Sequence, residues 1–221
     1  PVTNAQYSAF VQAGGYEQDR YWTESGWTWR EKEDVSVPRE FGHPFGLPNH
    51  PVVGVSWYEA VAFCRWLTEQ LREKGELDHE HVISLPTEPQ WEKAARGTDG
   101  RIYPWGDEPD PDRANYSDTG ITGIGATSAV GCFPRGASPY GVLDLSGNAL
   151  EWCLTKWEND YENYGQDNRL DGTSQRVLRG GAFSDSPRYV RCAYRCWDYP
   201  GYRSSDGGFR VCVSSRNEQS E

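Results

Sequence analysis

The spacing of apolar residues along the chain predicts three helices. The longest begins at a capping box formed by Ser56 and Glu59 and ends at Gly75. Its apolar stripe recurs at helical spacing and consists of Ala60, Cys64, Leu67 and Leu71. A first helix is predicted to begin at Thr3, a good N-cap residue, and to end at Gly14.

The third predicted helix is short and lies between Thr87 and Gly97. Thr87 and Gln90 form its capping box, and Gly97 provides the stop. Residues 16–48 and 107–131 show no periodicity and are rich in Gly and polar residues, so we expect irregular surface structure there. The tryptophans of the first of these stretches are expected to turn back onto the core.

Predicted strands are few and short. Residues 142–145 and 150–154 flank a Ser-Gly-Asn turn, Arg176–Arg179 is a short run that stops at a Gly-Gly pair, and residues 208–213 form a further run. Between the last two runs the chain is dense in Tyr, Ser, Asp, Arg and Gly and almost free of aliphatic side chains. Such a composition between two strands predicts a displayed binding surface on a rigid scaffold.

Composition and charge narrow the class of protein. The chain has 221 residues without an evident linker, so we expect one domain over residues 1–221. The formal net charge of −11 argues against nonspecific binding to nucleic acid or anionic membranes. No apolar run is long enough for a membrane helix, so no membrane insertion is expected. The compartment stays open, with the cytoplasm favoured.

The cysteines and histidines do not form a recognisable metal motif. The six cysteines contain no CxxC pair and no zinc spacing with the four histidines. Cys192 and Cys196 could be read as a redox or metal pair, but buried free thiols are the favoured interpretation. His79 and His81 could bind metal, although two solvated loop histidines are the simpler interpretation.

Seven motifs stand in the order of a known family. They are PVTN at residues 1–4, PVVGVSWYE at 51–59, LPTEPQWEKAARG at 85–97, YPWG at 103–106, GVLDLSGNALEW at 141–152, VLRGG at 177–181 and GFR at 208–210. Together they resemble the sulfatase-modifying-factor, or formylglycine-generating-enzyme-like, domain. The resemblance implies an α+β, C-type-lectin-like fold with a small twisted antiparallel sheet, two main helices and much irregular loop. Family domains begin earlier, so an additional N-terminal region or domain is expected.

The resemblance predicts where catalytic cysteines would lie, in the segment that follows the Gly-Gly pair. The founding enzyme of the family oxidises a cysteine of a sulfatase to formylglycine, with two copper-binding cysteines after the Gly-Gly pair. Residues 182–189 of this chain contain no cysteine. A copper-dependent oxidase is therefore disfavoured, no copper is expected, and the domain is predicted not to be an enzyme. Related sulfoxide synthases hold iron through histidines largely from a partner domain, and no clustered histidines are seen here.

The family also includes variable proteins of diversity-generating retroelements, which display diversified residues in a C-terminal segment ending near Gly-Phe-Arg. This resemblance predicts a non-catalytic domain that binds a protein or other macromolecular ligand through residues 183–207. The alternative is an accessory domain that is not diversified. The predicted ligand-binding residues are Phe183, Ser184, Asp185, Ser186, Tyr189, Tyr194, Cys196, Trp197, Asp198, Tyr199, Gly201, Tyr202, Ser204, Ser205 and Asp206.

The resemblance also implies a calcium site. Family enzymes carry structural calcium near the Gly-Asn turn. Here Asp144 and Glu151 would supply carboxylates, and Gly147 and Ala149 would supply carbonyls. The alternative is that the two carboxylates only hydrogen-bond the backbone of the turn.

Arginines recur through the C-terminal part of an otherwise acidic chain. They could bind an anionic ligand, but we expect them to fix the segment in place by contacts to backbone or carboxylates. The arginines concerned are Arg191, Arg195, Arg203 and Arg210. A structural role is expected above all for Arg179 and Arg210, which lie within predicted strands.

Overall fold

The computed structural model describes residues 1–118, 125–161 and 167–216. Parts of two predicted irregular stretches, residues 119–124 and 162–166, lie outside the described residues. Within the described ranges the regular elements are α1 (Asn4–Gln12), α2 (Glu24–Lys32), α3 (Trp57–Glu73), β1 (His81–Ser84), α4 (Glu88–Arg96), β2 (Leu150–Lys156), β3 (Arg176–Arg179), β4 (Arg195–Asp198), β5 (Gly207–Phe209) and β6 (Cys212–Ser215). None of the helices described here is both long and apolar enough to cross a membrane.

The three predicted helices begin at the predicted caps. At α3, the Ser56 amide donates to Glu59 Oε2 at 2.7 Å and the Glu59 amide donates to Ser56 Oγ at 3.2 Å. The equivalent box at Thr87 opens α4, and Gly97 ends it with a φ of +70°. These interactions join residues three apart, which is why the sequence predicts them so directly.

Helix α2 was not predicted, because no apolar stripe marks it. Thr23 caps it through a hydrogen bond to the amide of Gly26, at 3.0 Å. Its tryptophans stabilise it instead. Trp27 contacts Trp22 with ring centroids 6.4 Å apart, and Trp29 contacts Tyr58 at 5.6 Å. Tertiary packing therefore forms this helix in a stretch that was expected to be irregular.

A four-stranded sheet with the order β4-β3-β2-β5 supports the C-terminal part of the chain. The expectation of an antiparallel sheet needs correction, since β2 and β5 run parallel. A separate antiparallel pair joins β1 to β6. The predicted strand at 142–145 does not form, because Gly141 and Asp144 have φ values of +77° and +56°.

The predicted strand at 208–213 divides into β5 and β6, which belong to different sheets. Arg210 lies between them and reaches back to Glu151 on β2. Strand β4 was also not predicted, because its residues are half-buried or exposed and read as loop. It pairs with β3 in a four-residue register from Arg176↔Asp198 to Arg179↔Arg195.

The sheet is covered on both faces. On one face, Trp152 and Leu178 join an aromatic core built on α1 and α3. On the other face, Cys153 and Val177 pack with Trp91 of α4. The two layers bury β2 and β3 almost completely, so the strands that lead into the C-terminal segment are rigidly held.

Arginines of the C-terminal segment bind glutamates from earlier elements. Arg195 on β4 donates to both carboxylate oxygens of Glu88 on α4, at 2.6 and 2.8 Å. Arg179 on β3 donates to Glu92 on the same helix, at 2.7 Å. Glu88 is 2% exposed, so the Arg195–Glu88 pair is largely shielded from water. The Arg179 side chain is fully buried, whereas its partner Glu92 is partly exposed.

Two further pairs continue the series. Arg203 contacts Glu59 of α3, with Nε 3.3 Å from Oε2. Arg210 donates to Glu151 Oε1 at 2.8 Å and also contacts Oε2. Both glutamates are at most 1% exposed. The expectation that arginines pin this segment thus agrees with the geometry, although the carboxylates come from glutamates far away in sequence.

Substituting Arg210 by Met should lower the free energy of unfolding by about 3–5 kcal/mol, because it leaves the buried carboxylate of Glu151 without its charge partner. Urea denaturation measures the change. The double variant Arg210→Met/Glu151→Gln should recover part of the loss. Arg191→Met is the matched control. Arg191 is exposed and donates only to the backbone carbonyl of Arg188, so its effect should stay within about 0.5 kcal/mol. A loss equal to that of the control would remove the structural role of the Arg210–Glu151 pair.

Candidate ligand-binding surface

The predicted surface residues all lie at least partly exposed. The segment leaves β3 at Gly181 and passes through a short helical turn at Pro187–Tyr189 and through β4 before it reaches β5. The side chains of Ser184, Trp197, Tyr199 and Tyr202 are exposed, and the other predicted residues are half-buried. Exposure makes these residues available to a ligand but does not by itself test binding.

Buried framework residues alternate with these exposed residues. Val190 and Cys192 are fully buried, and Pro200 is also buried. The Pro200 carbonyl accepts the amide of Trp57 at the start of α3, at 3.0 Å. The segment is therefore anchored between its exposed positions, and its display side chains project from a fixed backbone.

Exposed aromatic rings form a ridge along one side of the surface. Trp197, Tyr199 and Tyr202 are 43%, 59% and 52% exposed. Trp197 and Tyr199 meet edge to face with centroids 6.0 Å apart. Trp157, which follows β2, extends the ridge and lies 6.5 Å from Trp197. Exposed Tyr and Trp of this kind are typical anchors of protein interfaces.

Other parts of the chain contribute residues that sequence reasoning missed. Phe45 contacts Phe183 with ring centroids 5.7 Å apart. Trp29 of α2 packs directly against Gly201. The tryptophan-rich composition of residues 16–48 was the available signal. The expectation that these tryptophans turn back onto the core is confirmed, because Trp22 is buried in it and Trp27 and Trp29 pack against it. Trp29 also borders the surface.

Two of the three aspartates of the surface are held by local hydrogen bonds. Asp185 accepts the amide of Ala182 at 2.9 Å, and Asp198 accepts the amide of Tyr199 at 2.8 Å. Burial raises the pKa of Asp185 and of Asp198, and the nearby charge of Asp206 raises both further. The surface thus combines aromatic rings with closely spaced carboxyl groups.

The thiols within the segment are not arranged for redox or metal chemistry. Cys192 is fully buried, and Cys196 Sγ donates to the Leu178 carbonyl at 3.8 Å. Burial raises the pKa of both thiols to about 12, so neither forms the reactive thiolate at neutral pH. All six cysteines are free, but Cys132 is exposed, so the expectation of buried thiols holds for only part of the set.

The predicted calcium ligands surround one turn, but their donor set does not fit a calcium ion. Both oxygens of Glu151 bind the guanidinium of Arg210, and Oε2 also accepts Trp91 Nε1 at 2.5 Å. Asp144 Oδ2 accepts the amide of Gly131 at 2.7 Å. A cation placed here would compete with the arginine charge.

Residues Gly147 and Ala149 shape the same turn through their backbone. The amide of Ala149 donates to the Gly147 carbonyl at 3.0 Å, so one predicted ligand carbonyl is already engaged. Across residues 1–118, 125–161 and 167–216, no group of three or more His, Cys, Asp or Glu side chains could hold a metal ion.

Comparison with known proteins establishes the family. A family model described as the sulfatase-modifying factor enzyme 1-like domain matches residues 1–215, so the chain belongs to this family. A formylglycine-generating enzyme of Thermomonospora curvata is 34% identical, over 96% of this chain and 79% of its own length. The solved structure of Treponema denticola variable protein 1 is 25% identical, with a TM-score of 0.65, over 85% of this chain and 80% of that one. The predicted α+β, C-type-lectin-like fold is confirmed.

The prediction that the domain is not an enzyme is contradicted by its relatives. A hercynine oxygenase of Mycobacterium tuberculosis is 34% identical over 96% of this chain, and the formylglycine-generating enzyme is as similar. The missing cysteine pair argues only against copper chemistry and is not evidence against catalysis in general. The chain spans 50% of the length of that hercynine oxygenase.

Substituting Gly201 by Ala should lower the free energy of unfolding by roughly 1–3 kcal/mol, because a Cβ there would lie 2.4 Å from Nε1 of the packed Trp29 ring. Urea denaturation measures the effect. Gly46→Ala is the control, since a Cβ at Gly46 meets nothing within 4 Å. Equal stability of the two variants would mean that the Trp29 ring yields, and that Gly201 can vary freely as the sequence suggested.

Proposed function

We propose that residues 183–207 form a recognition surface that binds a protein or other macromolecular ligand. The observation that carries the proposal is the set of exposed aromatic side chains on a segment whose backbone is anchored by the buried residues Val190, Cys192 and Pro200. The ridge of Trp197, Tyr199 and Tyr202 offers large contact area at low entropic cost, because aromatic side chains have few rotatable bonds. The glutamate-bound arginines keep the backbone beneath them in place.

The similarity to a protein named as variable supports a diversified form of this surface. Treponema denticola variable protein 1 shares the fold over 85% of this chain. In the retroelements that the sequence resembles, diversification acts on adenines of the template, often in AAC codons. The predicted variable positions other than Phe183 and Trp197 carry residues whose codons can arise from AAC by changes at adenines alone. Their side chains are all exposed or half-buried. Of the framework residues between them, Val190 and Pro200 are buried, whereas Arg191 and Ala193 are exposed.

Alanine substitutions at Trp197, Tyr199 and Tyr202 should each weaken ligand binding at least tenfold, as removal of an aromatic anchor costs more than about 1.4 kcal/mol. Proteins retained from host extract by the wild type and lost by the triple variant identify the ligand, and biolayer interferometry then gives the affinities. Tyr140→Ala is the matched control, with 54% exposure outside the surface. Thermal melting should stay unchanged. Equal losses with Tyr140→Ala would count against the surface, and unfolding would show that the rings belong to the core.

Diversification has its own test in the gene. A near-identical template repeat beside a reverse-transcriptase gene, with adenines at the predicted variable codons, is the expected finding. A locus without such a repeat would leave a recognition surface of fixed sequence.

A second candidate function is that of one component of an oxygenase. The observation that favours it is the 34% identity to hercynine oxygenase over 96% of this chain, which makes up 50% of that protein. If the protein is a component of an oxygenase, the same surface would face the substrate, and any metal would be held by residues outside those described here.

The two candidates differ in what the protein consumes. Incubation of the full-length protein with hercynine, ferrous iron, oxygen and a thiol should deplete hercynine, as followed by mass spectrometry, if the oxygenase candidate is correct. Heat-denatured protein serves as the control. Unchanged hercynine in both samples would leave recognition as the favoured function.

A further inference from the structure

A groove borders the proposed recognition surface, between α2 and the chain at Tyr199–Gly201. Its volume is about 580 Å³, which is within the range of small-molecule sites. Trp29 from α2, Tyr58 from α3 and Tyr199 from the C-terminal segment provide its aromatic walls. Three separate parts of the chain therefore converge on one concave site.

The aromatic walls are held in position by their neighbours. The rings of Trp29 and Tyr58 lie 5.6 Å apart at 39°, and the Tyr58 hydroxyl donates to the Gly172 carbonyl at 2.9 Å. Gly201 lets the Trp29 ring approach the C-terminal segment closely, as no side chain intervenes. Tyr199 is 59% exposed, and its ring, which meets Trp197 edge to face, forms the open wall of the groove.

Negative charge lines the same groove. Glu24 is exposed at the first turn of α2, and Asp171 accepts the amide of Ser25 at 3.0 Å. Although partial burial acts to raise the pKa of Asp171, hydrogen bonds from Gly172, Ser25 and Thr23 hold it below its usual value. The carboxylate is therefore ionised at neutral pH. The one lysine of the lining, Lys32, lies 3.6 Å from Glu33 at the far end of α2.

We propose that this groove binds an organic cation, an ammonium or guanidinium head with an alkyl stem. Ring faces of Trp and Tyr attract such cations, and the carboxylates of Glu24 and Asp171 add direct charge complementarity. The net charge of −11 favours the approach of cations to the protein as a whole. The proposal rests on the proposed recognition function, because Tyr199 and Gly201 belong to both sites. The cation comes either from a lysine or arginine side chain of the macromolecular ligand or from a free amine.

The test follows the indole N–H signal of Trp29 in the NMR spectrum of the full chain. That signal is assigned by its loss in the conservative variant Trp29→Phe, which keeps an aromatic face. Pentalysine and n-butylamine are the cationic probes, and pentaglutamate and n-butyrate are their anionic counterparts. The Trp29 signal should shift with saturation for a cationic probe and stay in place for the anionic ones. A shift with pentalysine alone identifies a side-chain source, and a shift with butylamine at similar concentration identifies a free amine.

Glu24→Gln should weaken the binding of the cationic probe at least threefold, whereas Glu31→Gln should leave it unchanged. Both are exposed glutamates of α2, but Glu31 does not line the groove, so the pair separates local from overall charge. Equal affinity of Glu24→Gln and wild type, or no shift with either cation, would overturn the proposal. If the macromolecular ligand is lost with Trp197→Ala but retained with Glu24→Gln, the recognition surface stands without the groove. If Trp197→Ala and Glu24→Gln both bind the macromolecular ligand as tightly as the wild type, both the recognition surface and its groove are ruled out as the binding site.

Discussion

The C-terminal segment depends on buried ion pairs between its arginines and glutamates supplied by α3, α4 and β2. Glu88, Glu59 and Glu151 are each at most 2% exposed, so removing either partner of a pair would leave a charge without solvation. Such pairs contribute little net stability compared with an apolar core, but they penalise alternative arrangements severely. A segment with few aliphatic residues of its own thereby keeps one defined backbone path.

The scaffold and the surface residues are distinct parts of this chain. The helices, the sheet and the glutamates form the scaffold, and exposed side chains lie between the arginines. Relatives with this fold include a formylglycine-generating enzyme, a hercynine oxygenase and a variable protein. The family therefore fixes the fold, whereas the activity depends on side chains grafted onto the segment and on what accompanies the domain.

The parts of the fold that sequence reasoning predicted are those set by short-range interactions or by ordered motifs. The capping boxes at Ser56 and Thr87 link residues three apart. The short run Arg176–Arg179 stops at a Gly-Gly pair and forms the predicted strand. Helix α2 and strand β4 escaped prediction because their neighbours, rather than their own periodicity, stabilise them. The glutamate partners also escaped, since Glu88 and Arg195 are 107 positions apart and no local pattern joins them.

The candidate surface was predicted in its outline but not in its borders. Its display residues lie within one continuous segment, which composition reveals. Trp29, Phe45 and Trp157 reach it from distant parts of the chain, so only the folded structure brings them together. Gly201 illustrates the limit. A glycine codon can arise from AAC by changes at adenines alone, which makes Gly201 resemble a freely variable position. In the structure, however, the ring of Trp29 occupies the space that a side chain would need.

The spacing of the arginines along the segment has a consequence for how the surface can change. Arg179, Arg195, Arg203 and Arg210 divide it into three short spans, each closed at both ends by a bound carboxylate. The anchors of the three spans differ: the first is tied at both ends to α4, the second to α4 and α3, and the third to α3 and β2. A side chain that displaces an anchor therefore perturbs a different part of the scaffold in each span.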